Sequence, residues 1–167
     1  MQAKKHVLIA ISIFALVAWL ALTLTQKPAA PQLSLSTLDG KQIALDSLRG
    51  KVVLVNFWAT SCPGCVKEMP QLVETFRKYH DRGLEVIAVA MSYDPPEYVR
   101  NYTLQSALPF TVALDVDGKA AQAFNQVKLT PTTFIIGKYG HILQQTLSEL
   151  DFVKLHALQQ QHLGGAA

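Results

Sequence analysis

The 167-residue chain holds two cysteines, Cys62 and Cys65, where a run of β-forming residues, Val52-Val53-Leu54-Val55, gives way to a helix-like pattern. That junction constrains the fold most. A strand apolar on both faces belongs in the interior of a sheet covered on both sides. A helix following it directly leads back to a neighbouring parallel strand. The helix N-terminus leaves backbone N–H groups unpaired and carries a partial positive charge, and both favour a thiolate over a thiol. The thiolate is the form that attacks disulfides, so the position makes one cysteine of the pair reactive.

Other uses of the pair fit less well. Structural zinc needs four ligands; there is no second cysteine pair, and the five histidines are scattered. Covalent haem attachment needs His directly after the second cysteine, where Val66 stands. A purely structural disulfide over two intervening residues closes too small a loop to remove much unfolded-chain entropy. Reversible dithiol–disulfide chemistry is the reading that remains.

The N-terminus sets the compartment. Lys4 and Lys5 precede Val7 to Leu24, a stretch without a charge. As a helix, its eighteen residues span roughly 27 Å, close to a bilayer's hydrocarbon thickness. The run is longer than a signal-peptide core, no Ala-x-Ala site follows it, and Pro28 and Pro31 sit poorly with cleavage. No cysteine follows it either, which excludes lipoprotein processing. The expected order is a cytoplasmic basic end (1–6), a transmembrane signal anchor (7–24), a linker (25–31) and an exported domain (32–167). Trp19 suits the outer interface, and the exported side of a bacterial membrane is oxidising. Three of the fifteen basic residues, Lys4, Lys5 and Lys27, flank the anchor; the remaining twelve equal the twelve acids. A formally neutral domain has no electrostatic footprint for nucleic acid.

Within the domain, alternation around Asp39-Gly40 predicts a hairpin over Gln32 to Leu45. Val52 to Phe57 reads as the central strand, and the helix from Cys62 runs to about Arg82 before Gly83, with a kink expected at Pro70. Leu84 to Met91 is a second buried strand, and Pro95-Pro96 opens a helix to about Ala107. A strand over Phe110 to Leu114, a helix over Lys119 to Asn125, a hairpin over Thr132 to Leu147 and a helix over Glu149 to Gln161 complete the chain. The result is an α/β fold: a central mixed β-sheet flanked by helices, with an N-terminal β-hairpin.

Three segments in this order resemble the thioredoxin superfamily, and within it the TlpA/ResA type of membrane-anchored thiol–disulfide oxidoreductases. They are Val53-Leu54-Val55-Asn56-Phe57-Trp58-Ala59-Thr60 before the cysteines, Glu68-Met69-Pro70 after them, and Thr130-Pro131-Thr132-Thr133-Phe134 near the end. Asn56 stands where cytosolic thioredoxins carry Asp, and Pro63-Gly64 replaces their Gly-Pro. The resemblance implies a thioredoxin-like fold over about Gln32 to Leu163, a redox-active Cys62–Cys65 disulfide, no cofactor and no metal. It also implies a cis peptide before Pro131, beside the cysteines.

Cys62, at the exposed edge of the helix, is expected to be the nucleophile, with Cys65 one turn further in as the resolving thiol. Glu68 lies three positions beyond Cys65 on the same helix face. Spacing alone leaves it either an exposed helix acid or a partner of the thiols. The resemblance favours a role in proton exchange and redox tuning. Asn56 is expected to be buried below the cysteines, and Trp58 to lie either near the active-site rim or in the core as a plain aromatic.

The family implies work on the extracytoplasmic side of the bacterial inner membrane, as a reductase of exported disulfide proteins. Cytochrome c maturation and copper-site assembly of respiratory oxidases are the associated processes, with a membrane thiol–electron transporter as reductant. The alternatives are a disulfide-forming oxidant and a thiol-based copper-binding or chaperone module. A peroxidase ranks lower, because Thr60 lies two residues before Cys62 rather than three.

Overall fold

The computed structural model describes residues 13–20 and 27–163. The expected cytoplasmic end, most of the 7–24 anchor and the last four residues lie outside them. Residues 13–20 are helical, and no helix among the described residues is long and apolar enough to cross a membrane.

Seven strands form one sheet: β1 (Ser34–Thr37), β2 (Gln42–Ala44), β3 (Val52–Trp58), β4 (Leu84–Ala90), β5 (Thr111–Leu114), β6 (Thr132–Ile136) and β7 (Ile142–Leu147). Their order is β2-β1-β5-β4-β3-β6-β7. Strands β3, β4 and β5 are parallel, as the intervening helices require; β1–β2, β1–β5, β3–β6 and β6–β7 are antiparallel. The helices are α1 (Pro63–Tyr79), α2 (Pro96–Gln105), α3 (Lys119–Ala123) and α4 (Phe152–Leu163).

Every residue of β3 is buried, and its side chains alternate between two cores. Val52, Leu54 and Trp58 pack with Cys65, Met69, Leu72, Phe76 and Tyr79 of α1 and with Leu155 and Leu163 of α4. Val53, Val55 and Phe57 face the other way, against Leu45, Ala120, Ala121, Phe124 and Phe134. Phe57 meets the rings of Phe124 and Phe134 edge-on, with centroids 5.4 Å and 6.1 Å away. The period of two places Asn56 on the α1 side, and that placement builds the site.

Several boundaries move for identifiable reasons. Helix α1 stops at Tyr79 and tightens into a 3₁₀ turn, His80–Arg82, before Gly83. It stays helical through Pro70, which lies on the exposed face. Helix α3 is only five residues long because Asn125 and Gln126 take positive φ. Helix α4 begins at Phe152 rather than near Glu149, since the Asp151 carboxylate accepts the N–H groups of Val153 and Lys154.

The linker expected over 25–31 is not a free tether from Lys27 onward. Ala29 bridges His141, the Ala30 N–H donates to the Gly140 carbonyl at 2.8 Å, and the Ile142 N–H donates to Pro28 at 2.8 Å. This strip extends the sheet beside β7, at the turn that follows Ile136. Ile136 pairs with Val53, near the start of β3, whereas the cysteines follow its end. The chain therefore enters the domain at the end of the sheet opposite the cysteines.

Gly83 has φ +94°, a conformation that side chains resist. Gly83→Ala is expected to cost about 1 kcal/mol, lowering Tm by roughly 2–4 °C. Thermal unfolding followed by circular dichroism measures it.

Candidate active site

Strand β3 ends at Trp58, a short loop carries Ala59 to Ser61, and Cys62 is the N-cap of α1. The Cys62 Sγ accepts the Cys65 N–H at 3.2 Å, so a helix-terminal donor points at the sulfur. Cys62 is half-buried and Cys65 fully buried, and the two form a disulfide with Cα atoms 5.3 Å apart. Of the two residues, Cys62 is the more exposed.

Glu68 is not the exposed helix acid that spacing alone allowed. It is 2% exposed, on the inner face of α1 one turn beyond Cys65. One carboxylate oxygen accepts the Asn56 side-chain N–H at 2.9 Å, and the other accepts the Leu150 backbone N–H at 3.0 Å. Asn56 also donates to the Thr133 hydroxyl at 2.9 Å, and its own carbonyl oxygen has no protein partner. The period-two face of β3, the inner face of α1, the start of β6 and the segment before α4 thus meet at one carboxylate.

Burial pushes the Glu68 carboxyl above its ordinary value, because the charged form loses water. The two donors pull the other way, and the charge of nearby Glu149 adds to the rise. A carboxyl raised in this way holds a proton more readily than an exposed one, which suits a group that takes and returns a proton. An ionised carboxylate one helical turn from Cys65 also opposes a second negative charge on the pair.

The Thr130–Pro131 peptide is cis, as the resemblance implied. Pro131 is buried and reaches the cysteine turn: a Cβ on Gly64 would stand 3.6 Å from Pro131 Cδ and 3.4 Å from Glu149 Oε1. Glu149 is paired with Lys67 at 2.8 Å. Trp58 takes the second of its two expected places. It is wholly buried rather than at the rim, with its ring 5.2 Å from that of Tyr102 and its indole N–H without a protein partner.

Sequence reasoning did not identify Thr133, Leu150, Glu149 or Asp94. Thr133 lay within the recognised Thr-Pro-Thr-Thr-Phe segment, whereas Leu150 contributes only its backbone N–H, which side-chain patterns do not report. Among the described residues, no three or more His, Cys, Asp or Glu gather in a metal-binding arrangement.

Comparison with known proteins agrees with this geometry. The AhpC/TSA family model matches residues 27–145. The chain is 38% identical over 120 residues to the thiol-disulfide oxidoreductase ResA of Bacillus thuringiensis, covering 72% of this chain and 68% of that protein. The solution structure of a candidate thioredoxin from Neisseria meningitidis superposes with a TM-score of 0.77 at 42% identity, over 84% of this chain and 93% of that one. A thioredoxin-family thiol:disulfide interchange protein from Chlorobium tepidum gives 0.76 at 27% identity, over 84% and 99%.

Proposed function

The chain belongs to the AhpC/TSA family of thioredoxin-fold proteins and, within it, to the ResA-type thiol–disulfide oxidoreductases; on that premise we propose that it works as a reductase of exported disulfide proteins. The observation that carries the direction is the burial of Glu68 one helical turn beyond Cys65, between Asn56 and the Leu150 N–H.

In the reduced protein the Cys62 thiolate attacks one sulfur of a partner disulfide, forming a mixed disulfide and expelling the partner's other sulfur as a thiolate. Cys65 then loses its proton, for which Glu68 is the acceptor held nearest on the helix face, and attacks the Cys62 sulfur. The second partner thiolate leaves and the Cys62–Cys65 disulfide closes. Two electrons pass to the partner, and its two thiolates take up protons. A carboxylate one helical turn from Cys65 disfavours thiolate on the pair, which destabilises the reduced form and makes it the stronger donor.

The proposal extends to place and partners. Residues 7–24 act as an uncleaved anchor in the bacterial inner membrane, with the domain on the extracytoplasmic side. A membrane thiol–electron transporter re-reduces it, and its substrates are exported proteins such as those of cytochrome c maturation or oxidase copper-site assembly. With residues 28–30 bonded to the end of the sheet opposite the cysteines, an anchor ending at Leu24 would turn the dithiol away from the bilayer.

Two assays on the full chain test this. Pre-reduced protein in detergent should reduce insulin disulfides, while its oxidised form should oxidise reduced ribonuclease slowly; the opposite pattern identifies an oxidant. In cells, the protein should stay with the membrane through an alkaline wash, and protease added to spheroplasts should remove the domain. Release by the wash would contradict the anchor.

A further inference from the structure

A second buried carboxylate is bonded to the cysteine loop. Asp94 is 5% exposed and lies just beyond β4. One of its oxygens accepts the Thr60 backbone N–H at 2.6 Å, and the other accepts the Thr60 hydroxyl at 2.6 Å. Neither meets a lysine or arginine among the described residues. Thr60 lies two residues before Cys62, a separation that the chain spans in about 7 Å at most. The loop is tied down twice more: Met91 N–H donates to the Trp58 carbonyl at 3.0 Å, and Cys62 N–H to Ala59 at 3.1 Å. On its outer side, the Tyr93 hydroxyl lies 3.4 Å from Thr130 Oγ1, next to the cis proline.

The segment from Met91 to Asp94 therefore clasps both walls of the active site, the cysteine loop through Asp94 and the proline loop through Tyr93. A small cavity of about 50 Å³ beside it is also lined by Asp115, whose two oxygens are taken by the N–H groups of Ala120 and Ala121. That second acid is committed to starting α3. The charge on Asp94 is balanced only by the Thr60 donors, and it faces the loop that carries the nucleophile.

We propose that Asp94 is a positioning residue for the redox reaction: it fixes the Thr60 loop and biases the Cys62–Cys65 pair toward the disulfide. A buried negative charge near Cys62 raises the cost of its thiolate, so removing that charge favours the dithiol. This rests on the oxidoreductase reading, but it concerns a difference between variants, so it can fail or hold whatever the absolute potential of the native protein.

The informative variant is Asp94→Asn. Its carbonyl oxygen can accept the Thr60 N–H and its amide can donate to the Thr60 hydroxyl, so both contacts remain while the charge goes. With the full chain in detergent, equilibrated with glutathione, the dithiol-to-disulfide ratio should rise at least threefold. The Cys62 thiolate absorbance should also appear at lower pH. A folded variant that moves neither reading overturns the proposal. Thr60→Val keeps the charge and loses one donor, and it remains informative if Asp94→Asn does not fold. It should leave the equilibrium unchanged or shift it toward the disulfide. A shift toward the dithiol as large as threefold would mean that loop shape rather than charge sets the balance, and would overturn the proposal.

Discussion

Replacing Cys65 with serine is expected to abolish turnover and leave the protein covalently joined to its substrates through Cys62. The half-buried Cys62 Sγ, aligned with a helix-terminal N–H, can still attack a partner disulfide. The sulfur that would resolve the mixed disulfide is then missing. Cys62→Ser should lose turnover as completely but trap little or nothing, because Cys65 is fully buried. Non-reducing gels of the two variants, expressed as full chains, distinguish these outcomes. Equal trapping by both would contradict the division of labour. Losing the disulfide itself should cost little, since the loop it closes is short. Cys65→Ser also places a hydroxyl in the core, which should cost about 1–3 kcal/mol where it finds no partner.

Glu68→Gln is the second large effect. Proton transfer by a positioned group typically contributes about 10²–10⁴-fold, so reductase activity should fall by about 10² or more. Removing the anionic neighbour should also lower the pH at which the cysteines titrate, read by thiolate absorbance. The fold should survive. The glutamine carbonyl can accept the Leu150 N–H, and its amide can face Asn56, whose carbonyl oxygen has no protein partner.

The stability profile gives an independent reading of the same residue. The folded-state pKa of Glu68 is raised above its unfolded value, so between the two the native state binds more protons than the unfolded one. The contribution is present below the unfolded value of about 4.5 and is lost as pH rises through the folded one. The glutamine variant should lack this decline, as denaturant unfolding across pH will show. Unchanged titration, activity and pH profile would together return Glu68 to a plain structural role.

What the sequence revealed, and what it hid, follows the range of the forces involved. The central strand, the helix behind it and both hairpins were legible because their signals are local: continuous apolar residues, Asp39-Gly40, Gly83, and the Lys138-Tyr139-Gly140 turn. Element ends were harder. Asp151 caps α4, which begins three residues past the expected start, and positive φ at Asn125 and Gln126 cuts α3 short. Both depend on which backbone groups the tertiary structure leaves unpaired. The redox pair and the cis proline were legible as motifs. The burial of Glu68 was not, because it depends on Asn56 of the facing strand β3 and on the Leu150 N–H, 82 residues away in sequence. Asp94 was missed for the same reason: it reaches Thr60 from 34 residues away. The docking of residues 28–30 beside β7 was hidden by their composition, since a Pro-Ala-Ala-Pro stretch carries no strand signal although its backbone groups pair readily at a sheet edge.

The central claim, that a buried acid one helical turn beyond Cys65 makes this protein an electron donor, is tested most directly by the midpoint potential of the full chain in detergent at neutral pH. Thioredoxin at about −270 mV and DsbA at about −120 mV bracket the donor and acceptor ends, and their gap corresponds to roughly 7 kcal/mol. Equilibration against dithiothreitol or glutathione buffers, with the free thiols alkylated and counted, gives the value. A potential below about −200 mV is the expected result. One near −120 mV would contradict the reductase reading and identify a disulfide-forming oxidant.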